Sequence, residues 1–243
     1  MKIVVTGATG FIGREVVIAL AKAGHECLML VRHPEAASCL PGKAFRWDGL
    51  SSTHSEDLKK FIEGSDVVVH LAGEPVAEGR WTEKRKTSIW NSRVIGTRNL
   101  VKLLAELPVN KRPRTLISGS AIGFYGHRGD EEVSETSPAG EGFLADVVKD
   151  WEDAAETAES LGLRVVKIRT GIVLGSGGGA LEKMQPVTLG SGNQWMSWIH
   201  LHDVVGCILF CIAQEKCRGA YNLVSPQPVQ NREFTLSFAE ARK

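Results

Sequence analysis

Three glycines at three-residue spacing, Gly7, Gly10 and Gly13, follow the apolar run Ile3-Val4-Val5 and open a helical pattern that stops at Gly24. In that setting the spacing describes a phosphate cradle. The first glycine permits a tight turn, the second lets the backbone approach a pyrophosphate, and the third lets the helix pack close on the strand. Free N–H groups and the positive dipole end of the helix then favour an anion. Gly7, Thr9, Gly10, Phe11, Ile12 and Gly13 are the candidate contacts. The end of the second apolar strand bears on which dinucleotide fits. A binder of NAD places Asp or Glu there to accept the ribose 2′-hydroxyl. Here the chain reads Leu30-Val31-Arg32-His33, without an acid. The planar fork of Arg32 can grip a 2′-phosphate instead, so NADP (NADPH) is expected in preference to NAD. Leu71, Ala72 and Gly73, small or apolar residues at the end of a later strand, leave room for a nucleotide across the sheet.

Other residue types with chemical potential have plainer readings beside the functional one. Trp195 and Trp198 offer indole faces to a substrate, or pack beneath a small lobe. His200 and Asp203 are read as anchors for a helix start. Arg80, Arg85 and Arg93 could meet phosphate but are read as a solvated helix face. Trp151 and Glu152 are read as packing and capping their helix. Gly177-Gly178-Gly179 is either a loop beside the nucleotide or the lead-in to a helix. The five cysteines, Cys27, Cys39, Cys207, Cys211 and Cys217, include no Cys-x-x-Cys pair and are read as buried small hydrophobes in a reducing compartment. No metal site is expected.

These groups must be positioned by alternating strands and helices. Strands are predicted at 3–5, 27–31, 45–47, 66–71, 115–118, 165–168 and 220–223. Helices are predicted at 11–23, 58–62, 82–106, 144–161 and 203–213. The strands are near-continuous apolar runs, as in a parallel sheet covered on both faces. The expected fold is α/β, a doubly wound parallel sheet (Rossmann) with a small C-terminal substrate-side lobe. Residues 1–170 would form the dinucleotide-binding domain, with later elements returning to it, and 171–243 the lobe. The 243 residues carry 29 Lys and Arg against 28 Asp and Glu, a balance unlike that of a nucleic-acid or membrane-surface binder. No apolar stretch reaches membrane-spanning length. A strand beginning at Lys2 is read as leaving no room for a leader, and a cytoplasmic location is expected.

Several segments together resemble the extended, atypical short-chain dehydrogenase/reductase family, the NAD-dependent epimerase/dehydratase group. They are TGATGFIG from Thr6, HLAG from His70, GSAIGFYG from Gly119, RTGIVLG from Arg169, QWMSWIH from Gln194 and AYN from Ala220. With FLADVVKDWE and GGGALEKM, they look most like its branch of epimerase family proteins, described as NADP-dependent oxidoreductases. That resemblance implies a tyrosine and a lysine four residues apart on a helix, and a serine that polarises the substrate carbonyl. The two tyrosines here, Tyr125 and Tyr221, are followed four residues later by Gly129 and Ser225, so the pair is absent. By resemblance, Lys149 keeps the lysine position as a ribose contact, with Ala145 at the tyrosine's. Ser120 takes the serine position, with Ala121 as its competitor in register, and Tyr125 lies near the crevice as a further hydroxyl. Two functions stay open. One is an oxidoreductase or epimerase acting on a small carbonyl or sugar-nucleotide; the other is a protein that senses NADP(H) without turnover. Relatives form dimers through helices corresponding to 82–106 and 144–161, so a homodimer is implied. They also carry a longer substrate loop and C-terminal lobe, and chain is expected to be missing within 184–190 and 232–240.

Overall fold

The parity of the strand residues builds the core. In the computed structural model, which describes residues 1–188 and 190–241, Ile3, Val5, Cys27, Met29, Val67, Val69, Ile117 and Val166 share one buried cluster. Their neighbours Val4, Leu28, Leu30, Val68, Leu116 and Val165 belong to a second cluster on the opposite face. A strand covered on both sides needs apolar residues at every position, which is why these runs show no polar alternation.

The elements follow in chain order: β1 (Lys2–Thr6), α1 (Phe11–Lys22), β2 (Glu26–Val31), β3 (Lys43–Arg46), α2 (Glu56–Ile62), β4 (Val67–His70) and α3 (Glu83–Trp90). After these come α4 (Gly96–Ala105), β5 (Thr115–Ala121), α5 (Phe143–Glu156), β6 (Arg164–Thr170), β7 (Ile172–Leu174) and α6 (Ala180–Lys183). The chain continues through β8 (Trp195–Met196), β9 (Trp198–His200), α7 (Leu201–Ala213), β10 (Gly219–Leu223), β11 (Val229–Gln230) and α8 (Asn231–Ala241). Seven strands form one sheet in the order β3-β2-β1-β4-β5-β6-β10, every neighbouring pair parallel. The order reverses direction between β1 and β4, and ligands of open α/β sheets bind beyond the strand ends at such a point.

The single helix expected over 82–106 is two, α3 and α4, joined by one wider turn at Asn91–Ile95. That turn carries Arg93. Beyond β6 the elements divide. β10 closes the edge of the main sheet beside β6, and α7 packs with α1 against its core. The pairs β7–β9 and β8–β11 form two small ladders outside it. α8 spans 232–240, where missing chain is expected, with the rings of Phe234 and Phe238 one turn apart and stacked at 5.9 Å. The other stretch expected to be short, 184–190, includes Leu189, which lies outside the described residues. Cys27, Cys211 and Cys217 are buried, but Cys39 is exposed, because it follows the short turn at Pro34–Ala37 on the surface. Among the described residues no helix is long and apolar enough to cross a membrane.

One buried polar chain ties the sheet centre to α4. Thr97 donates its hydroxyl to the Arg93 carbonyl at 2.5 Å, so its oxygen accepts from His70 Nε2 at 2.9 Å. His70 Nδ1 is then bare and accepts from Thr6 Oγ1 at 2.7 Å, while Thr6 accepts the Ala72 amide at 3.2 Å. Every atom in the chain is satisfied only when His70 is neutral. Burial pushes its pKa down to about 4. The unfolded chain therefore takes up a proton near pH 6.5 that the native state refuses until about pH 4. Stability falls as pH drops through that window, by about 3 kcal/mol from this residue. Urea unfolding at pH 7 and pH 4 measures the loss, and a His70→Gln variant shows a smaller difference between the two pH values.

Candidate functional site

The cleft begins where β1 turns into α1. Gly7 has φ +69°, and a Cβ there would lie 2.7 Å from the Leu71 carbonyl carbon. A Cβ at Gly13 would lie 2.1 Å from the Gly7 oxygen, so no larger residue fits without moving the helix off the strand. Gly10 precedes α1 in extended conformation and gives it no side-chain cap. The first amides of α1 have no partner within the helix, which leaves a cradle of backbone donors beside exposed Thr9 and half-buried Phe11 and Ile12.

A second glycine run closes over this turn. A Cβ on Gly178 or Gly179 would fall within 2.8 Å of the Phe11 ring, and one on Gly175 would meet Leu201 and Phe11. Arg14 donates to the Gly177 carbonyl. Gly179 also leads directly into α6, so the segment both covers the cradle and starts a helix. Across the cleft, Lys183 on α6 pairs with Glu78 at 2.5 Å.

At the end of β2, Arg32 is 65% exposed and meets Glu74 Oε1 at 2.7 Å. Glu74 follows Leu71, Ala72 and Gly73 at the β4 exit. It brings to the β2 end the acid that the β2 sequence lacks, a contact hidden by a separation of 42 positions in the chain. Arg85 reaches Glu74 Oε2 at 3.3 Å and also donates to the Pro75 carbonyl. Arg93 donates to the Glu74 carbonyl at 2.9 Å and lies over the Trp151 ring at 5.3 Å. Burial lowers its pKa to about 10, which leaves it charged at neutral pH. The expectation of a solvated arginine face therefore fails for Arg85 and Arg93. The loop after β4 folds back over the start of α3 and the wider turn and supplies them with acceptors. Arg80 alone of the three is exposed. A Cβ on Gly73 would press on the Arg93 guanidinium at 3.1 Å, which gives that glycine its reason.

The hydroxyl candidates lie together in a buried network. Ser120 donates to Glu152 Oε1 at 2.5 Å. Glu152 receives Arg169 through two parallel bonds of 2.8 Å, and both residues are almost wholly buried. Glu152 is thus a buried ion-pair partner and no helix cap. Arg169 donates to the Tyr125 oxygen at 2.9 Å, and Tyr125 donates to Asn222 Oδ1 at 2.6 Å. The Arg169 guanidinium also sits 3.5 Å above the Phe124 ring. The structure does not bring Lys149 to this group. Lys149 is exposed, while the face of α5 turned to the end of β5 carries Leu144 and Val148, both 3.7 Å from a Cβ placed on Gly123. One residue along a helix is a turn of about 100°, enough to carry a side chain from that face to solvent.

On the lobe side, Trp195 is 47% exposed and donates to Asp130 Oδ1 at 2.7 Å. Trp198 donates to the Gln227 carbonyl and lines a cavity of 210 Å³ with Leu174, Val229 and Phe234. His200 caps α7, its Nδ1 accepting the His202 amide at 3.2 Å.

The model of the NAD dependent epimerase/dehydratase family matches residues 3–223. An epimerase family protein of Mycobacterium bovis, Mb2239, is 39% identical over 246 residues, covering 98% of this chain and 78% of its own. Among solved structures, the nucleoside-diphosphate sugar epimerase of Corynebacterium glutamicum superposes with a TM-score of 0.82 at 37% identity, covering 99% of this chain. This chain spans half the length of that protein. The human epimerase family protein SDR39U1 (isoform 2), solved with NADPH, gives a TM-score of 0.80 at 30% identity, covering 99% of this chain and 80% of the human one. The glycine turn, the seven-stranded order and these matches agree: the chain belongs to the NAD-dependent epimerase/dehydratase family.

Proposed function

We propose that the chain binds NADP(H) across the β1–β4 switch point and acts as an oxidoreductase or epimerase on a small carbonyl or sugar-nucleotide. The observation that carries this reading is the glycine turn, where a Cβ on Gly7 or Gly13 would collide with backbone and Gly10 leads into α1 without a side-chain cap over its first amides. The backbone donors at the start of α1 would hold the diphosphate, and Arg32 would face the adenosine end. Leu71, Ala72 and Gly73 would flank the nucleotide. The human relative was solved with NADPH, which supports the phosphorylated cofactor. When bound, the nicotinamide supplies hydride transfer. This chain contributes orientation, exclusion of water by the strap over Phe11, and the two hydroxyls of Ser120 and Tyr125. Trp198 and its cavity are the proposed substrate side. The matches among epimerases support a carbonyl or sugar-nucleotide substrate.

The second reading, binding without turnover, has its own observation. Ser120 and Tyr125 both spend their protons on internal partners, and Ala145 offers none. A substrate panel assayed for hydride transfer separates the readings. Turnover that falls at least about 100-fold in Tyr125→Phe places that hydroxyl in the reaction. Absence of turnover with tight NADPH binding selects the sensor.

Isothermal titration tests the cofactor. NADPH binds more tightly than NADH, and Arg32→Ala removes most of the difference, a loss of roughly 10-fold or more for one charge-assisted contact. Tighter binding of NADH refutes the assignment of Arg32. Gly13→Ala abolishes binding of both dinucleotides, read in the same titration, with thermal unfolding reporting how much of the loss is global.

A further inference from the structure

The strand end that should choose between NAD and NADP holds an arginine already paired with a carboxylate. Glu74 spans two guanidiniums, Oε1 on Arg32 at 2.7 Å and Oε2 on Arg85 at 3.3 Å. Its backbone is pinned at both ends. The amide donates to Ser92 Oγ at 3.0 Å, and the carbonyl accepts from Arg93 at 2.9 Å. Only the side-chain torsions are left to move. Arg85 Nε is buried and has no acceptor, so this guanidinium holds a donor that the carboxylate does not use. A phosphate monoester brings three acceptor oxygens and about −1.5 to −2 of charge, against two oxygens and a single charge on Glu74. Two anions could not share the same pair of guanidiniums without repulsion.

We propose that Glu74 is a specificity-determining residue that occupies the 2′-phosphate receptor, and that this receptor is the pair Arg32 and Arg85. The proposal rests on the dinucleotide reading above. A 2′-phosphorylated dinucleotide enters by displacing the carboxylate from both arginines. An unphosphorylated one leaves the ion pair in place. The exchange is accessible because the Arg32 side chain is 65% exposed, and an ion pair in that setting is weak. Glu74 therefore opposes NADPH while leaving NADH untouched, and it narrows the preference that Arg32 alone would set.

Titration of the full chain with NADPH, NADH and adenosine 2′,5′-bisphosphate tests this. In Glu74→Gln, NADPH and the bisphosphate bind roughly 3- to 10-fold more tightly and NADH is unchanged. In Arg85→Ala, NADPH and the bisphosphate weaken while NADH does not. Glu74→Ala repeats the first result where glutamine keeps a residual bond to Arg32, and thermal unfolding confirms that all variants fold. Unchanged or weaker NADPH binding in both Glu74 variants overturns the proposal. So does weakened NADH with unchanged NADPH, which would make Glu74 the acceptor of the ribose 2′-hydroxyl. Wild-type binding of NADPH with no effect of Glu74 sinks this inference alone. Failure of the wild type to bind any of the three ligands sinks the dinucleotide reading and this inference with it.

Discussion

The Gly7 carbonyl leaves no space for a side chain at position 13. That one steric fact sets how closely α1 lies on β1, and the cleft is built outward from it. The close approach aims the open amides of α1 along the ends of β1 and β4. It also puts Phe11 on the surface of the turn, where Gly175, Gly178 and Gly179 pack on its ring. Beneath the turn, Thr6 joins the same strand end to His70 and through Thr97 to the wider turn at Asn91–Ile95. That turn in turn holds Arg93, whose guanidinium fixes the Glu74 backbone. A turn of backbone alone thus governs the glycine strap on one side and the arginine cluster on the other. A wider helical turn is the natural place for such a residue, since one extra residue re-aims a side chain without ending the helix.

The parts of this molecule legible in the sequence are those where neighbouring residues share one cause. Ile3-Val4-Val5 and Val67-Val68-Val69 announce buried strands, because each residue must face one of two covered sides. Gly7, Gly10 and Gly13 lie within one turn, so spacing alone describes their geometry. The arginines were not legible in this way. Arg85 and Arg93 look like a solvated face on a helical wheel. Only the return of the loop after β4 shows their acceptors, and no local pattern encodes that return. Lys149 stands exposed one position beyond Val148 on α5, so its part as a ribose contact rests on the resemblance and not on a contact within the fold. Cys39 stands beside a short surface turn that carries no periodicity, and α8 buries only Asn231 and Thr235, so no apolar stripe marks it.

The pair of Glu152 and Arg169 explains why the hydroxyls cluster where they do. A buried ion pair is costly to desolvate, and it persists only when the remaining donors and lone pairs are also satisfied. Here Ser120 and Tyr125 supply that satisfaction, together with the Glu135 carbonyl, which takes a further Arg169 N–H at 3.2 Å. The network joins β5, α5, β6 and β10 at the end of the sheet that faces the cleft, through Ser120, Glu152, Arg169 and Asn222. Loss of either charge would strand the other in a dry environment, which is more damaging than loss of a surface pair.

The same geometry bears on whether protons can pass along it. Ser120 gives its proton to Glu152, and Tyr125 gives its proton to Asn222. Between these two segments stands Arg169, whose guanidinium donates to both and does not deprotonate in proteins. An amide at the far end neither takes up nor releases a proton near neutral pH. The chain from Ser120 to Asn222 is therefore continuous in hydrogen bonds but broken as a relay. It anchors its members, and any proton exchanged with a substrate must enter at a terminal hydroxyl after that hydroxyl has turned away from its partner. For Tyr125 the turn would break a 2.6 Å bond to the Asn222 side chain, and the Asn222 backbone N–H donates to the Glu135 carboxylate at 2.8 Å. Tyr125 is thus held, through Asn222, to the loop bearing Glu135.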